Sequence, residues 1–162
     1  MKDTKPIIYL FTDGSVNPQS KIGFGGYLLL EQLEYSSELE KKIKVKKFNN
    51  TSSTKLELET LLWALSDVDS TNTKIIVYTD CQNIIGLQDR RARFEKNKYI
   101  TTKGKEIKNH ELYKDFFKIV DTLECKFIKV KGHKKTSIKD ETDTIFTLVD
   151  KATRNALRNI AL

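Results

Sequence analysis

Ile7-Ile8-Tyr9-Leu10-Phe11-Thr12-Asp13-Gly14-Ser15 is the stretch whose reading decides the fold. From Ile7 to Phe11 the residues are β-branched, aromatic or leucine without a break, and the run is too short for a buried helix. It therefore reads as a strand covered on both faces. The run stops at Thr12-Asp13-Gly14-Ser15, which puts a carboxylate where the strand is expected to end. Ile75-Ile76-Val77-Tyr78-Thr79-Asp80 repeats the arrangement. If the two strands are parallel neighbours, Asp13 and Asp80 leave the sheet side by side at its carboxyl edge, where open α/β sheets bind ligands. Adjacent carboxylates repel each other unless a proton or a cation lies between them.

The surroundings of that pair follow outward along the chain. Gly23-Phe24-Gly25-Gly26-Tyr27 leads into Leu28-Leu29-Leu30. The glycines mark either a flexible hairpin or a place where backbone or ligand comes close. Lys42-Ile43-Lys44-Val45-Lys46 alternates and predicts a half-exposed third strand. Leu58, Leu61, Leu62 and Leu65 recur at helical spacing after a polar loop. Thr54 and Glu57 have capping-box spacing, the ordinary explanation for that glutamate. Glu57 also borders the leucine stripe and can lean towards the sheet. Asp80 in turn has the ordinary role of capping a short helix through Ile84, Ile85 and Leu87. Cys81 beside it reads as a small residue at a helix start.

From Arg90 to Lys108 the chain is basic, with Arg90, Arg91, Arg93, Lys96, Lys98, Lys103, Lys105 and Lys108 against Glu95 and Glu106. Phe94, Tyr99 and Ile100 interrupt it. A solvated loop is the plain reading. Cations interleaved with aromatics also suit a nucleic-acid backbone, and the concentration of excess charge here favours that reading. His110 to Leu123 is amphipathic, and Cys125 to Val130 predicts the fifth strand. A polar loop then runs to Thr144. The last helix is expected from Phe146 to Leu162, with Val149, Ala152, Thr153, Ala156, Leu157 and Ile160 towards the core. Asp150 would lie in its first turn, where a carboxylate suits the helix dipole.

The 162 residues suit one domain, residues 1–162, with a substantial core. Lys and Arg number 29 against 22 Asp and Glu, a formal charge of +7 that fits a polyanion partner or an ordinary basic protein. No apolar run approaches the roughly 20 residues that span a bilayer. Met1 to Pro6 contains no secretory apolar region, so no membrane association is expected. The cysteines, Cys81 and Cys125, lack metal-ligand spacing, which points to a reducing, cytoplasmic setting. Asp13, Glu57, Asp80 and Asp150 each have a dull explanation alone. Converging, they require a cation, and hard oxygen donors favour Mg²⁺ or Mn²⁺.

These motifs, in this order, resemble the type 1 ribonuclease H family from Ile7 to about Arg158. Thr12-Asp13-Gly14-Ser15 resembles its first motif, and Gly25-Gly26-Tyr27 the glycines after it. Lys55-Leu56-Glu57-Leu58 resembles the stretch with its catalytic glutamate. Thr79-Asp80-Cys81-Gln82 is similar to its second aspartate motif, Val130-Lys131-Gly132-His133 to its histidine loop, and Val149-Asp150-Lys151-Ala152 to its last aspartate. The resemblance implies an α/β ribonuclease H-like fold. Its five-stranded mixed sheet has three antiparallel strands, then two parallel ones, with helices on both faces. It implies an endonuclease that hydrolyses the RNA strand of RNA/DNA hybrids with two metal ions once substrate is bound, leaving 5′-phosphate and 3′-hydroxyl ends. The protein would act as a monomer.

Carried over residue by residue, the resemblance makes Asp13, Glu57, Asp80 and Asp150 metal ligands and His133 a mobile helper in proton transfer or product release. Asn17, Ser53, Thr54 and Gln82 fall where the family reads the minor groove. Ser52 and Asn109 fall where it holds a DNA-strand phosphate. Arg90, Arg91 and Arg93 open the segment where many members carry a hybrid-binding handle. Ser53 and Thr54 replace the two asparagines common there, and the handle lacks the usual tryptophans, leaving Phe94 and Tyr99 for stacking. The stretch from His133 to Asp150 is longer than usual and lacks the acidic residue just before the aspartate. A non-catalytic hybrid-binding module, a DNA-acting nuclease of the same fold, and a Mg²⁺-dependent phosphatase of another α/β fold are the alternatives. The antiparallel opening speaks against the last.

Overall fold

The computed structural model describes residues 5–69, 72–130 and 140–160. Its sheet has five strands: β1 Ile7–Asn17, β2 Ile22–Leu30, β3 Lys44–Phe48, β4 Lys74–Thr79 and β5 Glu124–Lys129. They lie in the order β3-β2-β1-β4-β5, antiparallel from β3 to β1 and parallel from β1 to β5. The helices are α1 Ser53–Asp67, α2 Gln82–Ile85, α3 Leu87–Lys96, α4 His110–Thr122 and α5 Glu141–Ile160. This is the expected mixed sheet with helices on both faces.

Strand alternation explains why the apolar runs are unbroken. Leu10, Ile75 and Val77 pack with Leu58, Leu61 and Leu65 of α1 and Phe116 of α4. Phe11, Leu28 and Tyr78 pack on the opposite face with Ile145, Phe146 and Val149 of α5. Each of β1 and β4 therefore feeds two cores, and no polar face is needed.

The β2 glycines admit helices. A Cβ on Gly25 would collide with the Thr60 side chain of α1, and one on Gly26 would lie 2.8 Å from Thr153 Cγ2 of α5. Neighbouring strand residues point to opposite faces. The close approach is thus by helices from both sides.

Four expectations need correction. β1 does not end at Asp13. Residues Tyr9 to Asn17 pair with β2, whereas pairing with β4 stops at Phe11 opposite Tyr78. The hairpin partner keeps the chain extended through Gly14 and Ser15. The third strand begins at Lys44, because Leu39–Lys42 forms a 3-10 turn that buries Leu39. The basic segment is not all loop: α3 runs to Lys96 and is anchored by buried Leu87 and Phe94. Finally, α5 begins at Glu141 instead of Phe146. Asp140 Oδ1 accepts the Asp143 amide at 2.9 Å, and Asp143 Oδ2 accepts the Asp140 amide at 3.3 Å. This reciprocal cap starts the helix inside the presumed loop. Asp150 is consequently mid-helix, away from the first-turn dipole site, and Ile160 is exposed.

Candidate functional site

Three acids come together at the carboxyl edge of the parallel strands. The β1–β4 register places Ile7 opposite Lys74 and Phe11 opposite Tyr78. Continued by two residues, it sets Asp13 against Asp80, which directly follows β4. Glu57 arrives from α1. Gly14 lets that helix press in, since a Cβ there would sit 2.8 Å from Leu56 Cδ2 and 3.6 Å from Glu57 Oε1. One carboxylate oxygen each from Asp13, Glu57 and Asp80 lie within 4.8 Å of one another. Asp13 and Glu57 are buried while Asp80 is exposed, so the cluster opens to solvent on one side.

The capping explanations fail for two of the acids. The N-cap of α1 is Ser52, so Thr54 is already inside the helix and cannot form the proposed box with Glu57. Glu57 Oε2 is buried without a hydrogen-bond partner. Asp80 precedes Cys81, which holds the N-cap position of α2, and no side-chain cap bond is made there. Burial raises the pKa of the Cys81 thiol, which does not favour a nucleophile.

Burial also raises Asp13 to about 10, reinforced by the Glu57 and Asp80 charges and opposed by the Gly14 amide. Burial raises Glu57 to about 8, with Asp80 adding to the rise and hydrogen bonds from Asp13 and Gly14 opposing it. The hydrogen bond between the two carboxyls requires a proton that the pair shares. The arrangement keeps a proton between carboxylates at neutral pH, which is the task a bound cation would take over. An orphaned buried carboxylate oxygen and an all-oxygen donor set fit a hard divalent ion.

Asp150 lies outside that trio. It is in hydrogen-bonding relation to Asp13, whose pKa it helps to raise, and its Oδ2 accepts Arg154 Nη2 at 2.8 Å. Its backbone is held through Thr153, whose hydroxyl donates to the Asp150 carbonyl at 3.0 Å. His133 lies outside the described residues.

The polar residues around the acids occupy the same sheet edge or the starts of helices. Asn17 Oδ1 accepts the Gln19 and Ser20 amides at 2.9 and 3.3 Å, fixing the β1–β2 turn. The Thr51 amide donates to the Lys21 carbonyl of that turn at 2.9 Å, which brings the start of α1 alongside. There Ser53 is exposed and Ser52 and Thr54 are half-buried. Gln82 Oε1 accepts Lys129 Nζ at 2.7 Å. Asn109 is the N-cap of α4 with φ 66°, a left-handed conformation that asparagine tolerates.

The basic segment divides by what its cations already hold. Arg90 Nη2 donates to the Asn83 carbonyl and Oδ1, both at 2.6 Å. Arg91 makes a two-pronged pair with Asp121 at 2.6 and 2.7 Å and reaches Glu95 at 2.8 Å. Those carboxylates raise its pKa further. Arg93, Lys96 and Lys98 are exposed. Phe94 stacks on Tyr113 inside the core, with ring centroids 5.3 Å apart, so it is not free to stack on a base as expected. Tyr99 is half-buried, with Lys114 Nζ 5.0 Å from its ring centroid.

Two cations at the site escaped the sequence reading. Lys129 was hidden as the last residue of a strand. Arg154 carries a usable signal, its i,i+4 spacing from Asp150.

The sequence matches the model of the RNase H family over residues 5–157. A protein named Ribonuclease H from Caldicellulosiruptor saccharolyticus is 28% identical over 157 residues, covering 94% of this chain and 97% of that protein. One of the same name from Pseudoalteromonas atlantica is 30% identical over 141 residues, covering 85% and 86%. One from Clostridium botulinum is 27% identical over 143 residues, covering 85% and 91%. A chain from a structure of the foamy viral protease-reverse transcriptase in complex with dsDNA superposes with a TM-score of 0.62 at 10% identity, covering 93% of this chain and 95% of that one. That likeness speaks for the fold alone.

Proposed function

The chain belongs to the ribonuclease H family, and on that premise we propose that it is an endoribonuclease that hydrolyses the RNA strand of RNA/DNA hybrids. The observation that carries the proposal is the convergence of Asp13, Glu57 and Asp80 within 4.8 Å, with one buried Glu57 oxygen unpartnered. Asp13, Glu57, Asp80 and Asp150 would hold Mg²⁺ or Mn²⁺, as two ions when substrate is bound. Such ions lower the pKa of a bound water and offset charge on the attacked phosphate and the leaving oxygen.

The remaining work belongs to the chain's own residues. Asn17, Ser53, Thr54 and Gln82 supply polar groups for the minor groove, where the 2′-hydroxyl distinguishes RNA from DNA. Ser52 and Asn109 receive a DNA-strand phosphate at helix starts, where backbone N–H groups favour anions. Arg93, with Lys96 and Lys98, offers exposed cations to the hybrid backbone; Arg90 and Arg91 shape the helix that presents them. His133 assists proton transfer or product release. Water attacks phosphorus, the bond to the 3′ oxygen breaks, and the products carry 5′-phosphate and 3′-hydroxyl ends.

The protein acts as a monomer in this proposal. Cys81 and Cys125, both unpaired, fit a reducing cytoplasmic setting. Among the described residues no helix is long and apolar enough to cross a membrane. The test is a substrate panel of strand-labelled RNA/DNA hybrid, double-stranded RNA, double-stranded DNA and single-stranded RNA, with mapping of product ends. Cleavage confined to the RNA of the hybrid supports the proposal. Binding without cleavage would favour the non-catalytic module, and cut DNA the DNA-acting nuclease.

A further inference from the structure

Asp150 meets Asp13, at the margin of the acid trio, from a helix that the other acids do not share. Asp13 and Asp80 are set by one sheet register, and Glu57 by α1 pressed on Gly14. Asp150 depends on where α5 sits along and around its axis. A small slide or rotation of that helix would move its carboxylate away from Asp13 without unfolding anything.

One side chain occupies the place where such a shift would be felt. Thr153 is fully buried on α5, one turn after Asp150. Its methyl faces Gly26 of β2, where a Cβ would lie only 2.8 Å away. Gly26 is the register partner of Asp13. The Thr153 hydroxyl is 3.1 Å from Ser15 Oγ of β1, and Ser15 lies two residues beyond Asp13. The same hydroxyl donates to the Asp150 carbonyl at 3.0 Å. With that proton committed, Ser15 is the donor to Thr153. The chain of bonds runs from the Ser15 hydroxyl to the Thr153 hydroxyl to the Asp150 carbonyl.

We infer that Ser15 and Thr153 are positioning residues, a peg that fixes α5 so that Asp150 faces Asp13 at the cation site. The inference rests on the proposed role of the acids. The two contacts act in different directions. The methyl against Gly26 sets how close the helix comes to the sheet. The hydroxyl pair sets its position along β1. Ser15 belongs to the motif that carries Asp13, so one segment supplies a ligand and the anchor for another ligand's helix.

The experiment measures Mn²⁺ binding by electron paramagnetic resonance, without substrate, beside Mg²⁺-dependent cleavage and thermal melting. The variants are Thr153→Val, Thr153→Ser, Ser15→Ala and the Ser15→Ala/Thr153→Val pair. Outer residues that orient metal ligands commonly change metal affinity or activity by about 10-fold or more. Thr153→Val and Ser15→Ala are each expected to weaken Mn²⁺ binding about 10-fold while the protein stays folded at the assay temperature. Thr153→Ser is expected to restore it to within about threefold, because it keeps the hydroxyl. The pair is expected to be no worse than Thr153→Val alone, as residues of one network are not additive.

Unchanged Mn²⁺ affinity in folded Thr153→Val and Ser15→Ala would overturn the inference. So would a lower melting temperature with unchanged affinity, the mark of a merely structural contact. Asp13→Asn is run alongside. If it binds Mn²⁺ as tightly as the wild type, the proposed cation site itself fails, a result distinct from failure of the peg alone.

Discussion

Arg154 and Asp150 face each other one helical turn apart, with Nη2 2.8 Å from Oδ2, so the acid that α5 brings to Asp13 is already paired with a cation of its own helix. If Asp150 holds a metal ion as proposed, Arg154 would compete with that ion for the same carboxylate. Arg154→Gln is expected to tighten Mg²⁺ binding up to about fivefold, the scale of an exposed ion pair. Mg²⁺ titration of the folded variant checks this; weaker binding would show that Arg154 supports the site.

Crowded carboxylates make the stability of the metal-free protein depend on pH. Asp13 is raised to about 10 and Glu57 to about 8, chiefly by burial. In the unfolded chain both ionise near pH 4. Between those values the native state holds protons that the unfolded state has released, so stability falls as pH rises. The metal-free wild type should melt lower at pH 8 than at pH 5. Asp13→Asn should flatten that difference and be at least as stable as wild type at pH 8. Added Mg²⁺ should raise the wild-type melting temperature more than that of the variant, because a ligand of the native state stabilises it by mass action. Identical pH profiles for the two proteins would contradict this.

The cations of the basic segment should separate by mutation. Neutralising Arg93, Lys96 and Lys98 is expected to reduce the slope of log binding constant against log salt by about 0.9 for each phosphate left without its cation. Arg91→Gln should leave that slope unchanged and lower the melting temperature, since Arg91 is spent on Asp121 and Glu95. Salt-dependent binding to a hybrid, measured with Ca²⁺ in place of Mg²⁺, tells the two groups apart.

His133 is expected to act on protons, with no part in holding metal. His133→Ala should slow turnover by about 100-fold, the scale of lost acid–base help, with Mg²⁺ affinity unchanged. A calorimetric titration showing lost metal binding would reject that role.

The sheet was legible because Leu10 and Phe11 feed cores on opposite faces, so the run needed no polar alternation. The pairing of Asp13 with Asp80 followed from two similar apolar runs, each followed by Thr-Asp. What stayed hidden depended on partners distant in sequence or on unusual local chemistry. Gly14 and Ser15 look like a turn, yet pairing with Gly25 and Phe24 holds them extended. The helix from Leu87 is masked by its arginines; only Leu87 and Phe94, seven residues apart, signal its buried side. The true start of α5 was obscured because Asp140 and Asp143 cap each other with short side chains inside a polar stretch. Glu57 had capping-box spacing from Thr54, but α1 starts at Ser53 with Ser52 as its N-cap, which leaves Thr54 inside the helix.

The most direct test is single-turnover cleavage of a hybrid labelled on both strands, measured against Mg²⁺ concentration for wild type and Asp13→Asn. The expected result is Mg²⁺-dependent cutting of the RNA strand alone by the wild type, abolished in Asp13→Asn. Cutting that persists in excess chelator, reaches the DNA strand equally, or survives in Asp13→Asn would contradict it.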